Sequence, residues 1–246
     1  MAALEEGARP VTVERVTIEG HGGVAVEAIH AHPEDDAVRG LVLHPDMGGL
    51  RPLFEDLCRR LATHGLAVCA PEPWARVPEP ERAALDVTAR LERMPDLDDT
   101  VQLGDLARAA DFLRATEGVD NVAVLGFCMG GMYALKAAAT GAFDRAVVFY
   151  GMIRVPAEWR GAGQGEPLDA AADACPTLAL FGDADPWTPA ADIESLRAAW
   201  AERPEHKIVV YAGADHGFVH DPARPAHRAA DAADAWERAL AFLGVT

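Results

Sequence analysis

The sequence is short of positive charge. Its 22 Lys+Arg stand against 39 Asp+Glu, which gives a net charge of −17 and a pI near 4.8. A field of that sign repels phosphates and leaves no basic footprint, so a nucleic-acid partner is excluded. No apolar run approaches the roughly 20 residues that a spanning helix needs. The first ten residues, Met1 to Pro10, are acidic and lack the basic and apolar regions of a secretory leader. A soluble cytoplasmic protein without a membrane partner is therefore expected. Cysteine is also scarce. Cys58, Cys69, Cys128 and Cys175 are widely spaced and form no CxxC pair, which argues against a disulfide framework or a zinc cluster. Internal repeats, low-complexity tracts and linkers with a shift in composition are likewise missing.

Half of the residues are hydrophobic, far too many for a disordered acidic chain. A length of 246 residues suits one large α/β domain, expected here over residues 1–246. Alternating segments from Val11 to Ile18 and from Val24 to His30, joined by a glycine-rich turn, predict an N-terminal hairpin over about 11–30. Short, continuously apolar strands then alternate with helical periods. Strands are expected at 40–44, 66–70, 121–125, 145–150, 177–181 and 207–211, and helices at 52–64, 100–116, 132–140, 193–200 and 227–243. Continuous rather than alternating apolar strands indicate a mostly parallel sheet buried on both faces and flanked by helices. In such sheets function collects in the loops that leave the carboxyl ends of the strands. Residues 76–96, rich in Pro and Glu, are the least regular and read as a flap or a short helix pair. With the 159–169 loop they are expected to roof a pocket that Trp74, Trp159 and Trp187 could line.

One of those loops carries a nucleophile pattern. Gly126-Phe127-Cys128-Met129-Gly130 lies between a strand and a helix, the context of a nucleophile elbow. Glycines flank the central residue because the turn is too tight for side chains. The helix N-terminus behind it offers free N–H groups, with the Met129 amide an evident oxyanion donor. Partners should follow in the order nucleophile, acid, histidine. Asp185, just before Pro186, is the better-placed acid, and Asp183 suits a loop hydrogen bond. His216 is the candidate base. His216 and His220 have a spacing that can hold a metal on a helix, but no HExxH glutamate follows and the segment opens with a turn, so neither metal nor cofactor is expected. His21, His30, His32, His64, His206 and His227 read as solvated. Cys58, Cys69 and Cys175 read as core.

Five ordered segments carry a family resemblance: His44 to Pro52, Ala70 to Arg76, Gly126 to Gly131, Gly182 to Pro186, and Ala214 to Phe218. With them the chain resembles, from about Leu41 to Leu243, the dienelactone hydrolases, cysteine-dependent members of the α/β-hydrolase fold. The resemblance implies that Cys128 is the nucleophile, Asp185 the acid and His216 the base, with a second oxyanion amide near Met47. It implies that Asp46 stands where the family has a glutamate that modulates the thiol. It also implies that Arg76 and the residue at His220 hold a substrate carboxylate. An imidazole is a weaker anion clamp than a guanidinium, and Arg51 could compensate.

The expected activity is hydrolysis of a lactone or carboxylic ester through a thioester, of the carboxymethylenebutenolidase type. The alternatives are a binding protein that has lost turnover and a biosynthetic cyclase or lactone-processing enzyme. The partner is a small ester or lactone, and the chain is expected as a monomer or small homo-oligomer. The −17 charge and the loss of one arginine favour neutral or singly charged substrates.

Overall fold

The computed structural model describes residues 2–245. Met1 and Thr246, the two ends of the domain expected over 1–246, lie outside the described residues. In chain order the elements are β1 (Val11–Glu19), β2 (Ala25–Pro33), β3 (Arg39–His44), α1 (Pro52–Thr63), β4 (Leu66–Pro71), α2 (Glu81–Ala84), α3 (Val87–Glu92), α4 (Asp99–Glu117), β5 (Val122–Phe127), α5 (Met129–Ala137), β6 (Arg145–Phe149), α6 (Pro167–Ala170), β7 (Thr177–Gly182), α7 (Ala190–Ala199), β8 (Lys207–Tyr211) and α8 (Ala229–Leu243). The strands form one sheet in the order β1-β2-β4-β3-β5-β6-β7-β8. The β1–β2 hairpin is antiparallel and joins antiparallel to β4, and every later pairing is parallel.

The apolar strands explain the layering. Residues 122–127 of β5 and 177–182 of β7 are buried along their whole length. Helix α1 packs over β1, β2 and β4, α4 over β3 and β4, and α5 over β5 and β6. With both sides covered, there is no solvent face for polar residues to occupy, and the strands lose their alternation. Helix α1 buries Phe54, Leu57, Cys58 and Leu61 at helical spacing and stops before Gly65, whose φ of +94° no other residue adopts comfortably. Helix α4 begins where Asp98 accepts hydrogen bonds from the Thr100 and Val101 amides.

Strand order places the site. The chain leaves β3, returns as β4 on one side, and later enters β5 on the other side of β3. At such a reversal the connections leave in opposite directions and open a crevice beyond the strand ends. The loop after β3, which holds Asp46 and Met47, and the turn after β5, which holds Cys128, border this crevice. Two boundaries differ from expectation for local reasons. Helix α5 starts at Met129 rather than Met132, directly behind Cys128. Strand β6 ends at Phe149 because Tyr150 turns to a φ of +38°.

Candidate active site

The elbow is tight because backbone packs on backbone. A Cβ on Gly126 would lie 2.0 Å from the Gly130 carbonyl oxygen, and one on Gly130 would lie 2.2 Å from the His44 oxygen. Cys128 itself has a φ of +56°, a sparsely populated region that costs energy and persists only where the surroundings impose it. Its amide donates to the Phe149 carbonyl at 3.1 Å, which ties the turn to β6. The Met129 amide occupies the first turn of α5, where N–H groups have no partner within the helix.

Across the crevice, the loop after β8 brings in His216. Its Nδ1 lies 2.8 Å from Asp185 Oδ2, and the other oxygen of Asp185 accepts from the Trp187 amide at 2.8 Å. Asp185 is buried, so its charge is held by these two donors. Burial disfavours a charged His216. The charge of Cys128, the hydrogen bond with Asp185 and the contact with Cys128 outweigh it and push the imidazole up to about 10. Asp183 instead accepts from the Gly213 amide at 2.5 Å, the loop role expected for it. The other thiols are poor rivals to Cys128: burial pushes Cys58 and Cys69 far up and Cys175 up to about 11.

Cys128 and His216 line a cavity of about 630 Å³ together with Asp46, Met47 and Arg51. Leu85, Val87, Leu91, Trp159 and Trp187 supply its apolar wall. Of the segment expected as a flap, 76–96, only residues between Leu85 and Leu91 line this cavity, and the segment folds as the short helices α2 and α3 followed by a single 3₁₀ turn. Trp74 is buried behind this wall and donates its indole N–H to the Met47 carbonyl at 2.8 Å.

Three expected site residues behave differently. Arg76 lines a separate cleft with Trp74 and Gln102, where Asp105 holds its guanidinium at 2.8 and 2.9 Å and the His21 carbonyl takes a third bond at 3.0 Å. The acid on α4 turns it away from Cys128. His220 is wholly buried and cannot clamp a substrate. Its Nε2 lies 3.0 Å from Asp46 Oδ2, and its Nδ1 meets the Tyr150 hydroxyl. Asp46 does not bond Cys128 among the described residues, because both its oxygens are engaged. Arg51 holds them at 2.6 and 2.7 Å, and the Gly48 amide adds a bond at 2.8 Å. Burial opposes the Asp46 charge, but the bonds from His220 and Arg51 overcome it and hold the carboxyl well below the usual range. Burial keeps His220 neutral. The tautomer then follows: Nε2–H donates to Asp46 and Nδ1 accepts from Tyr150. Two histidines read as solvated are also covered: His30 is buried, and the His206 side chain is enclosed and stacked 4.4 Å from Trp200.

Sequence reasoning missed Tyr150, Arg90 and Arg224. Tyr150 links the two histidines, since its ring meets His216 edge-on at 5.2 Å while its hydroxyl holds His220. Its position at the carboxyl end of a strand was the available signal. Arg90 and Arg224 both line the Cys128 cavity, and neither has a carboxylate in ion-pair reach among the described residues. Arg90 bonds only the carbonyls of Leu85 and Arg82 and leaves Nη1 buried without a partner. With Asp46 neutralised by Arg51, and Asp86 set against Arg90 and Arg224, the carboxylates and guanidinium groups of the cavity lining leave one positive charge in excess inside an acidic protein.

This fold and this site have known relatives. Residues 26–246 match the dienelactone hydrolase family. A protein of Escherichia coli (strain K12) named "Putative carboxymethylenebutenolidase" is 32% identical over 227 residues, which cover 90% of this chain and 83% of that one. The "Probable 2-oxo-3-(5-oxofuran-2-ylidene)propanoate lactonase" of Bradyrhizobium sp is 30% identical, with 82% of each chain covered. The crystal structure titled "Putative Dienelactone Hydrolase" from Klebsiella pneumoniae superposes with a TM-score of 0.87 at 28% identity, covering 96% of this chain and all of that one. The chain belongs to the dienelactone hydrolase family and has its α/β-hydrolase fold. It is a lactone or ester hydrolase of the carboxymethylenebutenolidase-like kind.

Proposed function

We propose that the protein hydrolyses a lactone or carboxylic ester bearing one carboxylate, with Cys128, His216 and Asp185 as its triad. The observation that carries this reading is His216, held by Asp185 at 2.8 Å and lining the same cavity as the thiol of a strained elbow. The Cys128 sulfur attacks the carbonyl carbon. The oxyanion rests on the Met129 and Met47 amides. The intermediate collapses to a thioester, and the His216 imidazolium gives its proton to the leaving alkoxide. Water then attacks the thioester while His216 takes its proton, and the acid departs with the thiolate restored. Asp185 holds the His216 tautomer throughout. Asp46, which was expected at the thiol, and Arg51 together brace the β3 loop that presents Met47, while Arg51 keeps a place in the cavity lining. The whole chain acts as one domain in a reducing cytoplasm, which suits its four free cysteines.

Arg224 and Arg90 support the anionic substrate, as does the propanoate in the name of the Bradyrhizobium relative. A panel of lactones and esters, neutral and anionic, tests the reading. His216→Gln is expected to lose roughly 10³-fold in kcat/KM on every member. Arg224→Ala is expected to raise KM about tenfold for the anionic members and to leave the neutral ones within twofold. Equal effects of Arg224→Ala on both groups would remove it from the substrate site.

The pH profile carries a further expectation. His216 must be protonated to expel the alkoxide, and its folded-state pKa is raised to about 10. Turnover of alkyl esters should therefore fall as pH rises through 10, whereas p-nitrophenyl esters, whose leaving group needs no proton, should fall less. The same raised pKa stabilises the fold fully below about 6.5, the ordinary histidine value, and that contribution is lost as pH rises through about 10.

A further inference from the structure

We infer that Glu14, His30 and His32 form a binding site for a divalent transition-metal cation of the zinc class, with Glu117 as its supporting carboxylate. The antiparallel register sets Glu14 of β1 directly opposite His30 of β2, and His32 lies two residues on, on the same face. One donor atom from each of the three lies within 4.8 Å of the others. Four ligands around zinc at about 2.1 Å sit roughly 3.4 Å apart, so closing this set on an ion requires the stacked His30 and His32 rings, 4.9 Å apart, to turn until their lone pairs converge. Two imidazoles and a carboxylate are the donors that zinc, nickel and copper prefer over magnesium or calcium.

His30 points to a ligand independently of that proximity. Its side chain is only 4% exposed, and it lies between two carboxylates, with Nδ1 3.2 Å from Glu14 and Nε2 3.1 Å from Glu117. A neutral imidazole can donate to one of them only. The other nitrogen then turns its lone pair toward a carboxylate oxygen, an unfavourable contact that a second ring proton or a bound metal ion relieves. Nε2 accordingly has no hydrogen bond of acceptable geometry despite the short approach. A metal on the Glu14 side resolves the conflict: Nδ1 binds the ion, and Nε2–H turns to Glu117, the carboxylate–histidine–metal arrangement that fixes ring and tautomer. His32 has the same support, with its Nδ1 3.0 Å from the Pro33 carbonyl.

The site lies far along the sheet from the chemistry. Ala28 pairs with Pro71 at the carboxyl end of β4 and Ala31 with Val68, so His32 lies toward the opposite, amino end. A bound ion there would tie the edge hairpin to Glu117, the last residue of α4. It would stabilise the fold without entering the reaction. The protein's net charge of −17 raises the local cation concentration in its favour.

The test uses the full chain after chelator treatment, in the Cys128→Ala background so that the cavity thiol cannot take the metal. Zn²⁺ affinity is measured by competition with a chromophoric chelator, and Co²⁺ reports geometry through its visible spectrum. One Zn²⁺ per chain is expected, with a thermal midpoint that rises with Zn²⁺ concentration. Glu14→Gln and His32→Gln alter exposed or half-buried side chains and should fold. Each is expected to weaken Zn²⁺ at least tenfold and to abolish the thermal shift. If the parent chain binds no Zn²⁺ at tens of micromolar, or the two variants bind it as tightly as the parent does, His30 is an ordinary buried histidine between two acids and the site does not exist.

Discussion

Cys128→Ala is expected to lower kcat/KM for every ester and lactone substrate by at least ~10⁴-fold while the fold stays intact. The loss is large because the other groups of the site only assist a bond that Cys128 alone can form. What activity remains would come from water placed beneath the Met129 and Met47 amides. Alanine should be tolerated structurally. The φ of +56° is a property of the turn and strains any residue with a Cβ, and Cys128 is already buried against its neighbours. A thermal midpoint within a few degrees of wild type, together with the kinetic collapse, separates lost chemistry from lost structure. Retained turnover would remove Cys128 as the nucleophile.

The second large effect falls on stability. Asp46→Ala is expected to cost about 3 kcal/mol, because it strips the partner from a buried His220 N–H and from a guanidinium held at two points. The value is at the lower end of such losses because the Arg51 side chain is 32% exposed and can recover water. For a chain of this size that is a fall of roughly 6–12 °C in the thermal midpoint. The loss should also depend on pH with a definite sign. Asp46 has a depressed pKa in the folded state, so its contribution is present above the unfolded carboxyl value of about 3.9 and disappears as pH falls through the lower folded value. The gap between wild type and Asp46→Ala should therefore close on acidification below about pH 4. A gap that stays constant to pH 3 would mean that the Asp46 charge does not hold the β3 loop.

How far the sequence could be read depended on whether a residue's role is set locally. The elbow was legible because its glycine spacing is local: Gly126 is required by the Gly130 carbonyl within the motif, although Gly130 is also required by the His44 carbonyl at the end of β3. Asp185 could be chosen over Asp183 because the proline after it fixes the turn. The sheet was legible because burial on two sides makes strands continuously apolar. Arg76 was not legible: its direction is decided by Asp105, 29 residues away on α4. His220 was placed at the right position in the chain but given the wrong neighbours, since its partners Asp46 and Tyr150 come from two other strand ends. Arg90 lies in a segment with no periodicity to show which side of a short helix faces the cavity. His30 looked like a solvated strand histidine because nothing in β2 announces that α4 will cover it.

The charge of the protein also reads differently once it is divided. As a whole number it favoured neutral or singly charged substrates. Locally, Asp46 is cancelled by Arg51, and the wall keeps Arg90 and Arg224, neither in an ion pair among the described residues, against the single carboxylate of Asp86. Screening limits the long-range field to about 8 Å at physiological salt, so a carboxylate inside the cavity is governed by these two arginines rather than by the surface.

The measurement that bears most directly on the proposed chemistry is rapid-quench mass spectrometry of the enzyme during turnover of a p-nitrophenyl ester. An acid quench within the first turnovers should trap one acyl group per chain, and the adduct should map to the peptide that contains Cys128 and be released by hydroxylamine. Cys58, Cys69 and Cys175 should stay unmodified, and Cys128→Ala should yield no adduct. Steady turnover with no acyl-enzyme at any quench time, or an acyl group on another residue, would contradict a thioester mechanism at Cys128.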